Sequence, residues 1–394
     1  FRHIRVDPEV IFLIFLPPLL SNAAFNLSFN DFKHDFKTIS MLAVSLVFIT
    51  TLGIAYITHL MLPQIGWALA FVIGAILSPP DAVAATSIIK GMKLSHRTHI
   101  ILEGESLVND ASALIAYRFA VAAVAGTSFI WWEAGIEFII AIAGGIIVGY
   151  CLWKIFEYIV RKTHLGDTVV VSLNLLLPFV AYLLSEELRV SGVLAVVTTG
   201  IMVAIRKDIV FSQDAKSQSI VIWDLIVFML NGLVFILIGL QFPRVLEHLS
   251  INDILWLTFC SFMIFLTALV IRFIIIFFQK IWLEKSQYFK LKKKKNIDGV
   301  QYNAPLNWKD VLIIGWSGMR GIVSLATALA LPVVLTNGER FPYRSTVLFL
   351  TVMVVVMMLL IQGLGLPLII RWLKIDDIPP QEIKAEDELL NSPK

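Results

Sequence analysis

Two pairs of polar residues stand in the apolar stretch "ILEGESLVNDASALIAYRF" (101–119). Glu105 and Asn109 are four residues apart, so in a helix they share one face, and Ser106 and Asp110 share the adjacent face. The first face offers an acid beside an amide, and the second offers a hydroxyl beside an acid. Because alkali cations prefer oxygen ligands, Ser106 and Asp110 form a candidate site for a monovalent cation. The alternative is that Asp110 is a salt-bridged structural anchor.

The composition around these residues makes their charges costly. Of the 394 residues, 58% are apolar and only 15% are charged, whereas soluble domains carry about 25% charged residues. Such a surplus of apolar residues indicates an integral membrane protein, in which a charge at the middle of a helix costs about 2.5–3.5 kcal/mol. The net charge of +3 gives no indication of a nucleic-acid partner, and the two cysteines predict neither a disulfide framework nor a metal centre. No cofactor is predicted.

The apolar residues form about eleven spans long enough to cross a bilayer as helices. The predicted fold class is therefore all-α, with a transmembrane domain over 1–375 and a short polar tail over 376–394. The predicted spans are 9–25, 36–61, 66–90, 100–125, 130–160, 167–185, 190–205, 216–242, 251–283, 308–335 and 345–372.

The loops that follow odd-numbered spans carry most of the basic residues, including "KLKKKK" (290–295). By the positive-inside rule these loops are cytoplasmic, and so are the C-terminus and the tail. The "KLKKKK" run is either an anionic-lipid contact or a solvated loop.

The third span contains "SPPDAVAA" (78–85), in which Pro79 and Pro80 cannot continue a helix. A broken helix at membrane depth must line a cavity or have its free backbone groups satisfied, and it is a common device for ion sites in transporters. Asp81 follows the break, so we expect it to cap the next half-helix. A role as ligand of the transported ion is the alternative for Asp81.

The tenth span contains "GMRGIVSLA" (318–326), where glycines flank Arg320. A second interrupted helix so far downstream predicts an inverted repeat, with the third span matched by the tenth and the two breaks crossing. Arg320 has no acid in its own span. We therefore expect Glu105 to be its partner, with Asn109 bridging the two.

Three further polar residues lie in apolar spans. Asn22 follows the Pro17-Pro18 kink and either faces the same cavity or makes a polar contact between helices. Arg118 and Arg272 are interpreted as snorkelling or structural residues, and a position facing the pore is the alternative for both.

Four stretches in order, "FLPPLLSNAAF", "SPPDAVAA", "GESLVNDAS" and "GMRGIVSLA", resemble the monovalent cation/proton antiporters, in the branch of the bacterial NhaP proteins and the sodium/hydrogen exchangers. The resemblance implies a fold of about thirteen spans, of which the first two would precede Phe1. It also implies a carrier part over about 36–125 and 251–372, and a scaffold and dimerisation part over about 1–30 and 167–242.

The same resemblance implies site roles. Asp110 would be the ion-binding and proton-exchanging acid, with Ser106 and the backbone carbonyl of Pro80 as further ligands. Glu105, Asn109 and Arg320 would form a structural polar network. Two departures stand out: Pro80 occupies a place where archaeal relatives have threonine, and Asn22 occupies one where relatives carry an acid.

The function implied is secondary-active sodium/proton antiport in a bacterial plasma membrane, by a homodimer whose partners are the cation, the proton and membrane lipid. A single exchangeable charge at Asp110 predicts electroneutral one-for-one exchange. A preference for potassium or lithium is the nearest alternative. A cation channel or sensor is a more distant one. An intramembrane protease is disfavoured, because the chain has no Gly-x-Gly-Asp stretch.

Overall fold

The structure is a computed structural model and describes residues 8–26, 29–81, 96–126, 131–163, 165–247, 249–293, 308–335 and 338–373. These residues form twelve helices and one isolated bridge between Val334 and Arg340, which confirms the all-α class. The helices are α1 (Pro8–Asn26), α2 (Phe29–Met61), α3 (Gly66–Leu77), α4 (His96–Val124), α5 (Trp131–Thr163), α6 (Asp167–Glu187), α7 (Gly192–Val210), α8 (Gln213–Leu246), α9 (Ile251–Lys293), α10 (Trp308–Trp316), α11 (Ile322–Leu329) and α12 (Arg344–Trp372).

Seven of the described helices, α2, α4, α5, α6, α8, α9 and α12, are long and apolar enough to cross a membrane. Their outward faces carry large apolar side chains, such as Phe228, which is 75% exposed, and Ile147, which is 61% exposed. Water would penalise so much exposed apolar surface, whereas lipid does not. The chain is therefore an integral membrane protein with several spans.

Each of the eleven predicted spans contains a described helix. The tenth span is divided into α10 and α11, which gives twelve helices rather than eleven. The helix of the third span, α3, ends at Leu77, and residues 82–95 lie outside the described part of the chain. The predicted tail over 376–394 and the last two residues of "KLKKKK" also lie outside it.

The helices pack in two groups. In the first, α2 contacts α3, α4 and α9, and α9 contacts α10 and α12; in the second, α7 contacts α1, α5 and α6. The groups meet where Leu16 and Leu20 of α1 pack in one cluster with Ala111 and Leu114 of α4 and Val323 of α11. This contact brings the predicted site helix α4 to the boundary between the two groups.

A close approach of α2 and α3 fixes the position of the first break. A Cβ atom at Gly74 would lie 2.5 Å from the carbonyl oxygen of Thr51, so only glycine lets the two backbones come this near. The C-terminal half of α3 is fully enclosed as a result, and residues 72–81 are all buried.

Candidate cation site and the two helix breaks

The first break begins where α3 ends at Leu77. Pro79 and Pro80 have no backbone N–H, so the last carbonyls of α3 lose the donors that a continuing helix would supply. The Ser78 hydroxyl satisfies one of them by donating to the carbonyl of Ala75 at 3.1 Å. The remaining carbonyls need partners from other elements, because lipid provides none.

The second break separates α10 from α11. The backbone leaves the helix after Trp316, runs through 317–321 without helical geometry, and resumes at Ile322. This segment is buried throughout, and the Arg320 side chain is only 1% exposed. The glycine-flanked arginine in the sequence therefore marks a real interruption at this place.

The two breaks bind each other directly. The backbone N–H of Asp81 donates to the carbonyl of Met319 at 2.6 Å, and the N–H of Ile322 donates to Asp81 Oδ2 at 3.3 Å. Asp81 thus caps the N-terminus of α11, where a negative charge also interacts favourably with the helix dipole. A Cβ at Gly321 would lie 1.8 Å from Asp81 Oδ2, so the contact requires glycine there.

The predicted cap was placed on the half-helix that follows Asp81 in the chain. That half-helix lies outside the described residues, and the cap that the structure describes acts across the break on α11. The sequence identified the residue and the kind of interaction, but it contained no signal for the partner.

Arg320 binds the C-terminal end of α3. Its Nε donates to the carbonyl of Leu77 at 2.8 Å, and its Nη1 donates to the carbonyl of Gly318 at 3.2 Å. A cation at the C-terminus of α3 compensates both the unpaired carbonyls and the negative end of the dipole. The expectation that Arg320 would pair directly with Glu105 is therefore corrected.

The partner of Glu105 is Arg272 of α9. Arg272 Nη1 donates to Glu105 Oε1 at 2.7 Å and Nη2 donates to Oε2 at 3.3 Å, while Nε donates to the carbonyl of Ile314 in α10. The two side chains are 2% and 1% exposed, so this bidentate pair is shielded from solvent. Arg272 also supports α10 close to its C-terminus, as Arg320 supports α3.

Asn109 Nδ2 donates to Glu105 Oε1 at 3.2 Å, but its Oδ1 accepts from no described residue, so the expectation that Asn109 bridges Glu105 and Arg320 is also corrected. Arg320 remains close enough for Glu105 to attract its charge and for Arg272 to repel it. The sequence marked Arg272 only as a basic residue in an apolar run. No spacing rule could choose between two arginines on distant helices.

On the adjacent face of α4, Ser106 and Pro80 are brought together. The Ser106 hydroxyl donates to the carbonyl of Pro80 at 3.4 Å, which places two of the predicted ion ligands in contact. Asp110, one turn further along α4, is buried, and its carboxylate repels that of Asp81. No described residue forms a salt bridge with Asp110.

The two remaining polar residues of the sequence analysis have different surroundings. Asn22 lies half-buried on α1, the helix that packs against α4 and α11. Arg118 forms a salt bridge with Glu186 of α6 at 2.5 Å between Nη2 and Oε1, so its role includes a contact between the two helix groups.

Interrupted helices that meet around buried charges in a polytopic membrane protein are typical of secondary transporters. A family model described as "Sodium/hydrogen exchanger, transmembrane" matches residues 2–372. The chain belongs to this sodium/hydrogen exchanger family, which confirms the resemblance drawn from the four motifs. The family consists of transporters, so the chain is not an enzyme and the protease alternative is excluded.

Curated relatives cover most of the chain. A protein of Bacillus pumilus named "Sodium, potassium, lithium and rubidium/H(+) antiporter" is 35% identical over 93% of this chain and 54% of its own length. The "Uncharacterized Na(+)/H(+) exchanger YjcE" of Escherichia coli is 30% identical over 98% of this chain and 70% of its own length. The chain thus spans about half the length of the Bacillus relative.

A solved structure shares the fold. The sodium proton antiporter MjNhaP1 of Methanocaldococcus jannaschii superposes with a TM-score of 0.67 at 21% identity, over 90% of this chain and 85% of that one. At this identity the likeness concerns the fold alone.

Proposed function

We propose that the chain is a secondary-active monovalent cation/proton antiporter in which a cation and a proton compete for Asp110. The observation that carries the proposal is the contrast on α4. Glu105 is neutralised by Arg272, whereas Asp110 is buried and has no salt bridge from the described part of the chain. A buried carboxylate without a counter-charge needs either a proton or a cation.

The surroundings of Asp110 supply oxygen ligands for such a cation. Ser106 and the carbonyl of Pro80 are already in contact, one turn before Asp110 on the same side of α4. Monovalent cations are bound by carboxylate, hydroxyl and carbonyl oxygens of this kind. Asn22 is proposed as a neutral further ligand from α1, and Asp81 as the cap that keeps the break in shape.

Competition at one acid explains coupling. With a proton or a monovalent cation bound, the site is neutral, and it can pass a dry barrier that would oppose a bare carboxylate. One exchangeable charge then moves one proton against one cation, so exchange is electroneutral. The structural network of Glu105, Asn109 and Arg272, with Arg320 beside it, keeps its charges compensated during the cycle.

We further infer that the helix groups move relative to each other. We assign α2, α3, α4, α9, α10, α11 and α12 to the proposed carrier of about 36–125 and 251–372. We assign α1, α6, α7 and α8 to the proposed scaffold of about 1–30 and 167–242; α5 packs on α7, and α8 also contacts α11 and α12. The end of α3 at Leu77, just before Pro79-Pro80, and the interruption between α10 and α11 support an inverted repeat.

The setting of the protein is proposed from the loop charges and from its relatives. A bacterial plasma membrane, with the basic loops and the C-terminus in the cytoplasm, agrees with the positive-inside rule. A homodimer is proposed from the family resemblance. Sodium is the proposed main cation, and potassium or lithium is the alternative, because the name of the Bacillus pumilus relative includes all three.

The test is proton flux in liposomes containing the purified chain. With a pH gradient imposed, adding sodium, lithium or potassium outside should dissipate the gradient, read by dequenching of a pH-sensitive dye. Electroneutral exchange should give a cation-driven proton flux that stays the same when the membrane potential is clamped or is collapsed by an ionophore. Cation currents without proton movement would instead identify a channel.

A further inference from the structure

The outer face of α5 carries an exposed stripe at seven-residue spacing: Ile140, Ile147, Lys154 and Arg161. Seven residues are almost two helical turns, so the four side chains lie nearly in line. The two isoleucines are 57% and 61% exposed, and the two basic side chains are 50% and 63% exposed. The stripe therefore changes from apolar to basic along its length.

A buried acid holds the basic end together. Glu157 is only 7% exposed, and it binds Lys154 Nζ at 3.1 Å through Oε2 and pairs with Arg161 Nη1 at 3.7 Å through Oε1. One carboxylate thus holds the two cations on either side of it and leaves most of their N–H groups free.

Aromatic rings complete the same end of the helix. Lys162 Nζ donates to the hydroxyl of Tyr158 at 2.6 Å, and Lys154 Nζ lies 4.4 Å from the ring centroid of Trp153. Amphipathic rings of this kind concentrate at the level of lipid headgroups. A recess of about 410 Å³ is lined by Lys154, Glu157, Tyr158, Arg161 and Lys162.

We infer that this recess binds the headgroup of an anionic phospholipid, whose acyl chain lies along Ile147 and Ile140. Three cations surround one carboxylate, so the recess has a net charge of +2 by that count (3 − 1), complementary to a phosphodiester. From Lys154 to Ile140 the helix rises about 21 Å, enough for an acyl chain. The residues belong to α5, away from the cation site, so this inference is independent of the antiport proposal.

General attraction between basic residues and an anionic membrane is the competing explanation. The two explanations predict opposite effects of Glu157→Gln on the binding of anionic lipid. This change adds one unit of positive charge, so general attraction predicts tighter binding of anionic lipid. An organised site predicts weaker binding, because Lys154 and Arg161 lose the carboxylate that holds them.

The experiment measures lipid retention by native mass spectrometry on the full chain in mild detergent. Phosphatidylglycerol and phosphatidylethanolamine with identical acyl chains are titrated separately. The wild-type chain should retain phosphatidylglycerol at a lower lipid concentration than phosphatidylethanolamine. The double variant Lys154→Gln with Arg161→Gln should lower the affinity for phosphatidylglycerol roughly thirtyfold, since each basic residue near an anionic lipid contributes about fivefold.

The matched control is Arg206→Gln with Lys207→Gln, which removes the same charge at the end of α7. It should leave retention within about twofold of wild type. If Glu157→Gln does not fold, Tyr158→Phe replaces it. Tyr158 is exposed, and loss of its hydroxyl releases Lys162, so retention should fall several-fold.

Several results would overturn the inference. They are equal retention of the two lipids, equal loss in the α5 and α7 double variants, tighter binding by Glu157→Gln, unchanged retention in Tyr158→Phe, or no retained lipid because a second copy of the chain covers this face.

Discussion

Glu105 and Asp110 are two buried acids five residues apart on one helix, and their surroundings differ sharply. Glu105 receives both N–H arms of Arg272 and the amide of Asn109, and all three side chains are almost completely buried. Asp110 lies on the side of α4 where Ser106 contacts Pro80, and no described residue neutralises it through a salt bridge. In our proposal, the paired charges of Glu105 and Arg272 hold α4, α9 and α10 together, while Asp110 is left for exchange.

The largest effect is expected from Asp110→Asn. The amide has nearly the same shape but can neither ionise nor pair with a cation, so exchange in liposomes should fall below detection. Folding should be unaffected, because the carboxylate has no salt bridge to lose among the described residues. Thermal unfolding in detergent within about 1 kcal/mol of wild type is the check on stability.

Measurable cation-driven proton flux in Asp110→Asn liposomes would refute the assignment of exchange to Asp110 and of a structural role to Glu105. Ser106→Ala serves as the neighbouring control. It removes one neutral ligand, so exchange should persist with weaker cation affinity.

The next largest effect is on stability, in Glu105→Gln. Removing one partner leaves the Arg272 guanidinium buried without its counter-charge, which typically costs about 3–5 kcal/mol. The expected result is a marked fall in the thermal unfolding temperature and in the yield of folded protein. Glu105→Gln combined with Arg272→Gln should recover part of the loss, because the buried Arg272 charge is removed together with its partner. A Glu105→Gln protein as stable as wild type would show that the Glu105–Arg272 pair does not stabilise the fold.

A smaller loss is expected from Asp81→Ala, which removes the cap from α11. Such caps contribute about 1 kcal/mol. Asp81→Asn is the matched control, since its side-chain oxygen can still accept from the N–H of Ile322. An alanine variant no less stable than the asparagine variant would show that the contact between the breaks does not depend on the cap.

The smallest effect is expected from Glu186→Gln, which weakens the salt bridge to Arg118. Both side chains are partly exposed, at 35% and 47%, so the stability loss should stay below about 1 kcal/mol. The unfolding temperature in detergent at low and high salt measures it. A stability loss comparable to that of Glu105→Gln would mean that the exposed and the buried ion pair contribute equally to stability.

Sequence patterns predicted most of the fold. Apolar length located a helix in every predicted span, Pro79-Pro80 marked the end of α3, and the glycines around Arg320 marked the interruption between α10 and α11. These features are local, since proline chemistry and glycine freedom act within a few residues. The contact between Asn109 and Glu105 follows from their four-residue spacing, and Ser106 contacts Pro80, another residue that the family motifs placed in the site.

The sequence did not predict which side chains on distant helices pair with each other. Glu105 pairs with Arg272 rather than Arg320, and Asp81 caps α11, because both contacts depend on how distant helices pack. Arg118 had no visible partner in the sequence because Glu186 lies on another helix 68 residues away. Contacts of this kind are set by tertiary packing, which periodicity and charge counting do not resolve.

Proton release from the purified chain in a weakly buffered detergent solution tests most directly whether a cation displaces a proton from Asp110. Adding saturating sodium near the pH at which Asp110 is protonated should release about one proton per chain from the wild type, because one carboxylate exchanges its proton for the cation. Asp110→Asn should release none. Sodium-induced release of a proton from Asp110→Asn, at the wild-type amount, would contradict the assignment of exchange to Asp110.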